Sequence, residues 1–162
     1  MSGQEHFTAL KNEQTARIVL RDTALYVFIG TVFGIYAAEG QAGANTNLVE
    51  IIRACSTAVS AIMFSIYLSN DYYVSRIGQF ARSADNDFSS WEDYHRKGAL
   101  YVLQKYFRSF LVVALFAGWT LYQAIPILEH GSFATRVMTI FFSGLVAFEL
   151  LLFALLHMKE RR

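Results

Sequence analysis

Glu149 is the one acidic residue in an otherwise apolar stretch, residues 137–158, that is long enough as a helix to cross a bilayer. It lies ten residues before Lys159 and thirteen after Arg136. At ~1.5 Å per residue those separations are about 15 Å and about 20 Å, which puts the acid near the midplane. An acidic group there costs about 2.5–3.5 kcal/mol on insertion scales, so it must be protonated, hydrogen-bonded or in contact with water. Thr57 and Ser60 reach a similar depth from another segment and are its expected partners, with Thr139, Ser143 and His157 on nearby faces of its own helix. Two roles fit. The plainer is a neutral acid bonded to a neighbouring helix; the other is a group that passes a proton or a cation.

A second set of polar residues shares one helical face. Ser56, Thr57, Ser60, Tyr67 and Asp71 follow Arg53 at spacings of three, four, seven, fourteen and eighteen, which returns them to one side at 3.6 residues per turn. In lipid such a stripe faces protein or water. Hydrogen bonding between helices is the plainer expectation, and lining a polar path is the alternative.

Other chemistries find little support. His6, His95, His130 and His157 fall in four separate regions with no two at one depth, which argues against a haem held between helices. The acids of Asp85-Asn86-Asp87 are not a calcium loop, because the sixth and twelfth positions from Asp85 are Ser90 and Arg96 where glycine and glutamate are required. The single cysteine, Cys55, reads as a small buried apolar residue and excludes a disulfide framework or a cysteine metal site. No catalytic triad, phosphate-binding glycine loop or carboxylate–histidine cluster occurs, so no enzyme, cofactor or metal is expected. The basic residues are spread along the chain instead of forming a patch, which argues against a nucleic-acid partner.

The elements that must position these groups are apolar helices. Of 162 residues 54% are hydrophobic and one is proline, and the mean hydropathy is +0.32, the balance of an integral membrane protein. Residues 1–16 read as a polar tail that frays or lies at the surface. Spans are expected at about 17–38, 48–70, 107–126 and 136–158. Ala42-Gly43-Ala44 after the first resembles a signal-peptide cleavage site, but the apolar part is long for a signal. Gly30 and Gly34 in the first span form a G-x-x-x-G on a face with Thr23 and Ala37, a surface suited to close helix approach. Glu39 to Asn47 and Ile127 to Thr135 read as outer loops, with Pro126 ending the third span.

Between the second and third spans the helical pattern continues beyond the bilayer. Tyr73, Val74, Ile77, Phe80, Ala81 and Ala84 recur on one side, with Arg76 and Arg82 opposite. A turn at residues 85–90 with a capping-box spacing starts a new helix at Trp91. The order IYLSNDYYVSRIGQFAR followed by WEDYHR resembles that of small four-pass bacterial inner-membrane proteins, a resemblance that assigns no residue a role.

The tail, residues 71–108 and the C-terminal end hold twelve of the fourteen basic residues, leaving only Arg53 and Arg136 on the other side. The positive-inside rule therefore places both termini and the central segment in the cytoplasm. The expected fold is an all-α integral membrane protein of four transmembrane helices, with the second and third extended into a cytoplasmic helical hairpin at about 71–106. Residues 17–162 then form one membrane domain. The leading expectation is an oligomeric inner-membrane channel-like or membrane-acting effector protein. Glu149, Arg53, Ser56, Thr57, Ser60 and Asp71 would make its polar pathway or interhelical network, Gly30 and Gly34 would pack helices, and Arg76, Arg82 and Trp91 would meet lipid, a cytoplasmic protein or a small ligand. A non-conducting accessory subunit and a small proton-coupled transporter are the alternatives.

Overall fold

The computed structural model describes residues 3–43, 45–83 and 99–159, helical throughout apart from two short turns and without a strand among the described residues. Helix α1 is Gly3–Ala42, α2 is Thr46–Ser83, α3 is Ala99–His130 and α4 is Phe133–Lys159. Each is long and apolar enough to cross a membrane. The two shortest candidate spans, Ser109–His130 and Phe133–Leu155, have 22 and 23 residues. They measure about 33 Å and about 35 Å, against a hydrocarbon core of about 30 Å.

Three boundaries differ from the sequence expectation. Residues 3–16 are not a frayed tail but the first turns of α1. Glutamate, alanine, leucine, lysine and glutamine favour helix there, and after Gly3 no glycine or proline interrupts the run before Gly30. Pro126 lies inside α3 instead of ending it. Its missing N–H removes one ladder bond near the helix end, and the ladder is carried one step past that end by the Gly131 amide donating to the Ile127 carbonyl at 2.8 Å. The stretches expected as loops are therefore mostly helical, and outside the helices the described residues there are Gly43 and Asn45 and, between α3 and α4, Gly131 and Ser132.

Each turn has its own local chemistry. Gly43 takes the left-handed backbone conformation at φ 56° that closes a helix C-terminus, and Asn45 caps α2 by accepting from the Leu48 amide at 3.2 Å. Ser132 caps α4, its hydroxyl accepting from the Thr135 amide at 3.4 Å. Gly131 is a close approach. A Cβ there would lie 2.6 Å from the Ile127 carbonyl oxygen and 3.2 Å from Glu50 Oε1.

Helix α2 is the centre of the bundle and packs against each of the other three. With α1 it is antiparallel, joined by Glu39 and Arg53 near the turns and by Arg21 and Asp71 at the opposite, tail end. With α3 it is again antiparallel, and with α4 it runs parallel. The three helices α1, α2 and α3 meet at Phe116, whose ring stacks on Phe28 at 4.1 Å and on Phe64 at 4.8 Å between centroids. Ala61, fully buried, lets the backbones close around those rings. Lipid is as apolar as the rings, so this cluster holds by dispersion and fit more than by escape from water. The outward faces carry Tyr26, Phe33, Ile62, Phe110, Phe141 and Leu151, all exposed, the surface that suits a hydrocarbon solvent.

Cys55 is exposed on this outward side, not buried as expected. At 100° per residue it falls about 160° round α2 from Thr57, the buried side. Beyond residue 70, α2 continues as helix to Ser83, the first arm of the expected extension. The turn at 85–90 and Trp91 lie outside the described residues.

Candidate functional site

The buried polar residues form three groups along the bundle. At the turn end, Glu50 of α2 accepts from the Ser132 amide at 2.6 Å and from the Thr135 hydroxyl, tying α2 to the start of α4. Beside it Arg53 and Glu39 approach to 3.6 Å, an ion pair without a hydrogen bond. Glu50, Arg53 and His130 line a half-open cleft of about 260 Å³ between the two turns.

The middle group carries the α2 stripe. Ser56, Thr57 and Ser60 are buried. Trp119 of α3 donates from its indole Nε1 to the Ser56 hydroxyl at 2.7 Å, and Ser60 shares a 2.8 Å bond with Thr120. Thr57 turns back on its own helix to the Ala54 carbonyl at 2.8 Å. The stripe thus faces α3 inside a single chain. Its two ends do not, since Arg53 pairs with Glu39 and Asp71 with Arg21, both on α1.

Glu149 is buried, with 7% of its surface exposed, and accepts from the Ser65 hydroxyl. This corrects the expected pairing with Thr57 and Ser60, and the register gives the reason. Parallel α2 and α4 align Glu50 with Thr135 and Ser65 with Glu149, offsets of 85 and 84 residues. Ser60 then lies about 7.5 Å, and Thr57 about 12 Å, nearer the turn end than the acid. Ser65 also lies about 140° round α2 from Ser60, on the side that α4 covers. The expectation counted depth from span edges at about 48 and 136, whereas the helices begin at Thr46 and Phe133 and their register is set by packing.

Several buried atoms in the same seam have no hydrogen-bond partner: Glu149 Oε2, Ser143 Oγ, Thr139 Oγ1 and both ends of the Gln123 amide. Gln123 and Thr139 are each eight residues from Gly131, where α3 gives way to α4, and so lie at one depth. A buried group left in this state costs about 1–3 kcal/mol in desolvation without compensation. In a membrane such groups mark sites where water or an ion is accommodated.

At the tail end the pattern reverses. Arg21 is buried, with Nε on Asp22 Oδ1 at 2.9 Å and Nη1 on Asp71 Oδ1 at 3.0 Å. Arg17 reaches Asn70 at 3.5 Å, lies 4.7 Å from the centre of the Tyr73 ring and stands 3.6 Å from Glu13. This network joins α1 to α2 beside the start of the α2 extension.

Of the remaining sequence candidates, Gly30 and Gly34 are exposed, and a Cβ on either would meet nothing within 4 Å. Among the described residues no helix packs on this small face. Arg76 is exposed and donates to Gln79 at 3.5 Å. Arg82 lies in the last turn of α2, its side chain outside the described residues, as is Trp91. Sequence reasoning missed Ser65, Arg21, Glu39, Glu50 and Gln123 as site members. Counting both helices from their turn-end caps, Asn45 and Ser132, sets Glu149 opposite Ile62, within a turn of Ser65, so the caps give the depth but not the partner. Among the described residues no group of three or more His, Cys, Asp or Glu side chains could hold a metal ion.

The fold and the seam define a class: a multi-pass helical membrane protein with a polar interior. Comparison with protein families, with curated proteins and with solved structures finds no match to this chain.

Proposed function

We propose that the protein is a channel-like membrane protein in which the polar route runs inside each chain, between α2, α3 and α4, with Glu149 as its charge-handling group. One observation carries this reading. Glu149 is buried in a membrane-spanning helix with only one oxygen engaged, and Thr139, Ser143 and Gln123 in the same seam also have unused hydrogen-bonding capacity. Groups that only hold helices together complete their bonds, as Ser60 and Thr120 do. The positive-inside distribution supports both termini in the cytoplasm. Arg76 and the segment beyond it would then meet lipid headgroups or a cytoplasmic partner.

The test is flux. Wild-type protein in liposomes passes protons or a monovalent cation, and Glu149→Gln, nearly isosteric and always neutral, reduces that flux at least tenfold while the helical content stays the same. Equal flux from the two proteins would remove Glu149 from the path.

A second reading, a non-conducting anchor subunit, is favoured by the tail-end network of Arg17, Arg21 and Asp71, which ties α1 to α2 where the chain leaves the bilayer. It predicts no flux from the isolated protein and a co-purifying partner lost on Arg76→Glu.

A further inference from the structure

We propose that Glu149 exchanges protons with the turn-end cleft through a single file of internal water held by the hydroxyls of Thr135, Thr139 and Ser143, so that the proton is the species this seam handles. The inference rests on the channel-like reading and names its species and its open side.

The first support is a contrast among hydroxyls. A helical serine or threonine can always bond to a carbonyl of the preceding turn, and Thr31, Thr57 and Thr120 do so at 2.8 Å. Thr139 and Ser143 do not, although Thr139 is fully buried. Their hydroxyls keep that capacity unused among the described residues.

The second support is spacing. Thr135, Thr139 and Ser143 recur every four residues down one side of α4, so successive hydroxyls are about 6 Å apart along the axis. Two oxygen–oxygen bonds of about 2.8 Å span about 5.6 Å, the reach of one bridging water. Ser143 to Glu149 is six residues, about 9 Å along the axis and about 120° round it, so the last step turns across the seam and takes about three waters. A water needs two to four polar partners to stay in a buried place, and this ladder supplies them at the required interval.

The third support is where the ladder starts and stops. Its upper rung, Thr135, donates to Glu50, which lines the cleft together with Arg53 and His130. Its lower end is Glu149 Oε2, and Phe153, buried one turn further on, separates that oxygen from the tail end. Beside the ladder the Ser60–Thr120 and Trp119–Ser56 bonds pin α3 to α2. A hydrated cation would have to part these helices. A proton needs only the file: each water accepts one proton and passes one on, Oε2 of Glu149 receives the last, and the carboxylate becomes a neutral acid while Ser65 keeps its bond to Oε1.

The test uses the full chain in phosphatidylethanolamine/phosphatidylglycerol liposomes with two independent readouts. Water-edited solid-state NMR should show transfer from water to Thr139 and Ser143 as strong as to exposed residues at the turns. Thr139→Val, which keeps the shape and deletes the hydroxyl, should cut proton flux at least tenfold without lowering Tm, and Thr139→Ser should restore it. Ser143→Ala gives the same comparison should Thr139→Val fail to fold. Dry Thr139 and Ser143 in the NMR overturn the file whatever the flux. Full proton flux in both hydroxyl deletions, with flux lost in Glu149→Gln, also overturns it but leaves the channel-like reading standing. Unchanged flux in Glu149→Gln sinks the channel-like reading itself, and the NMR transfer then decides alone whether the water file exists.

Discussion

The tail-end network and the α4 seam answer the same difficulty in opposite ways. Both bury polar groups between apolar helices. Arg21 meets two carboxylates, and Arg17 meets an amide, a carboxylate and an aromatic face. In the seam Thr139, Ser143, Gln123 and one oxygen of Glu149 meet no protein partner. The first arrangement is what a joint requires, since a buried charge that loses its counterpart is expensive. The second leaves capacity that a moving proton or a water molecule can occupy. Buried polarity is therefore of two kinds in this bundle, fully paired and incompletely paired.

That contrast breaks most easily at Arg21. Arg21→Met leaves Asp71 without its cation and should cost about 3 kcal/mol of stability, measured by denaturation in mild detergent. Adding Asp71→Leu should recover most of the loss, because two apolar side chains in place of a paired charge are nearly neutral. A single-variant loss below about 1 kcal/mol would mean that the network is not a joint. A smaller effect separates paired from unpaired hydroxyls. Ser60→Ala removes one side of a complete bond and should cost about 0.6 kcal/mol, the usual value between membrane helices, while Thr139→Val, which deletes an unpartnered hydroxyl, should cost nothing in the same assay. Equal losses would erase the distinction between the two kinds of group. The smallest effect lies on α1. Gly34→Ala adds a methyl that meets nothing within 4 Å, so helix propensity should raise stability by about 0.5 kcal/mol. A fall instead, with a change in oligomer mass, would mean that a second chain covers this face.

Much of the scaffold is legible in the sequence. Four apolar stretches separated by polar ones give four long helices, because length and composition govern whether a helix can cross a bilayer. The boundaries were harder. Pro126 is a helix breaker by type, but near a helix end it forfeits one bond and the helix runs on to His130. Residues 3–16 are polar, and polarity says where a segment can lie, not whether it is helical. Within the site, the α2 stripe was visible from its spacing, and its middle, Ser56, Thr57, Ser60 and Tyr67, is buried, while Arg53 and Asp71 at its ends are half-buried and turn to α1. Its partners were not visible, because no periodicity within one helix reports the register against another. Arg21 and Asp71 sit 50 residues apart, and Glu149 finds Ser65 across 84. Such pairings follow from how the helices pack, and the caps Asn45 and Ser132 fix the register only to within a turn.

The bond between Ser65 and Glu149 joins the second helix to the last, and chains are made from the N-terminus. When the fourth segment leaves the ribosome, α1, α2 and α3 have already been synthesised. The hydroxyl that receives Glu149 is therefore waiting before the acid enters the membrane. A carboxylate at that depth in α1 would have had to enter the lipid before any partner existed. Its place in α4 lets Glu149 be delivered directly to its destination.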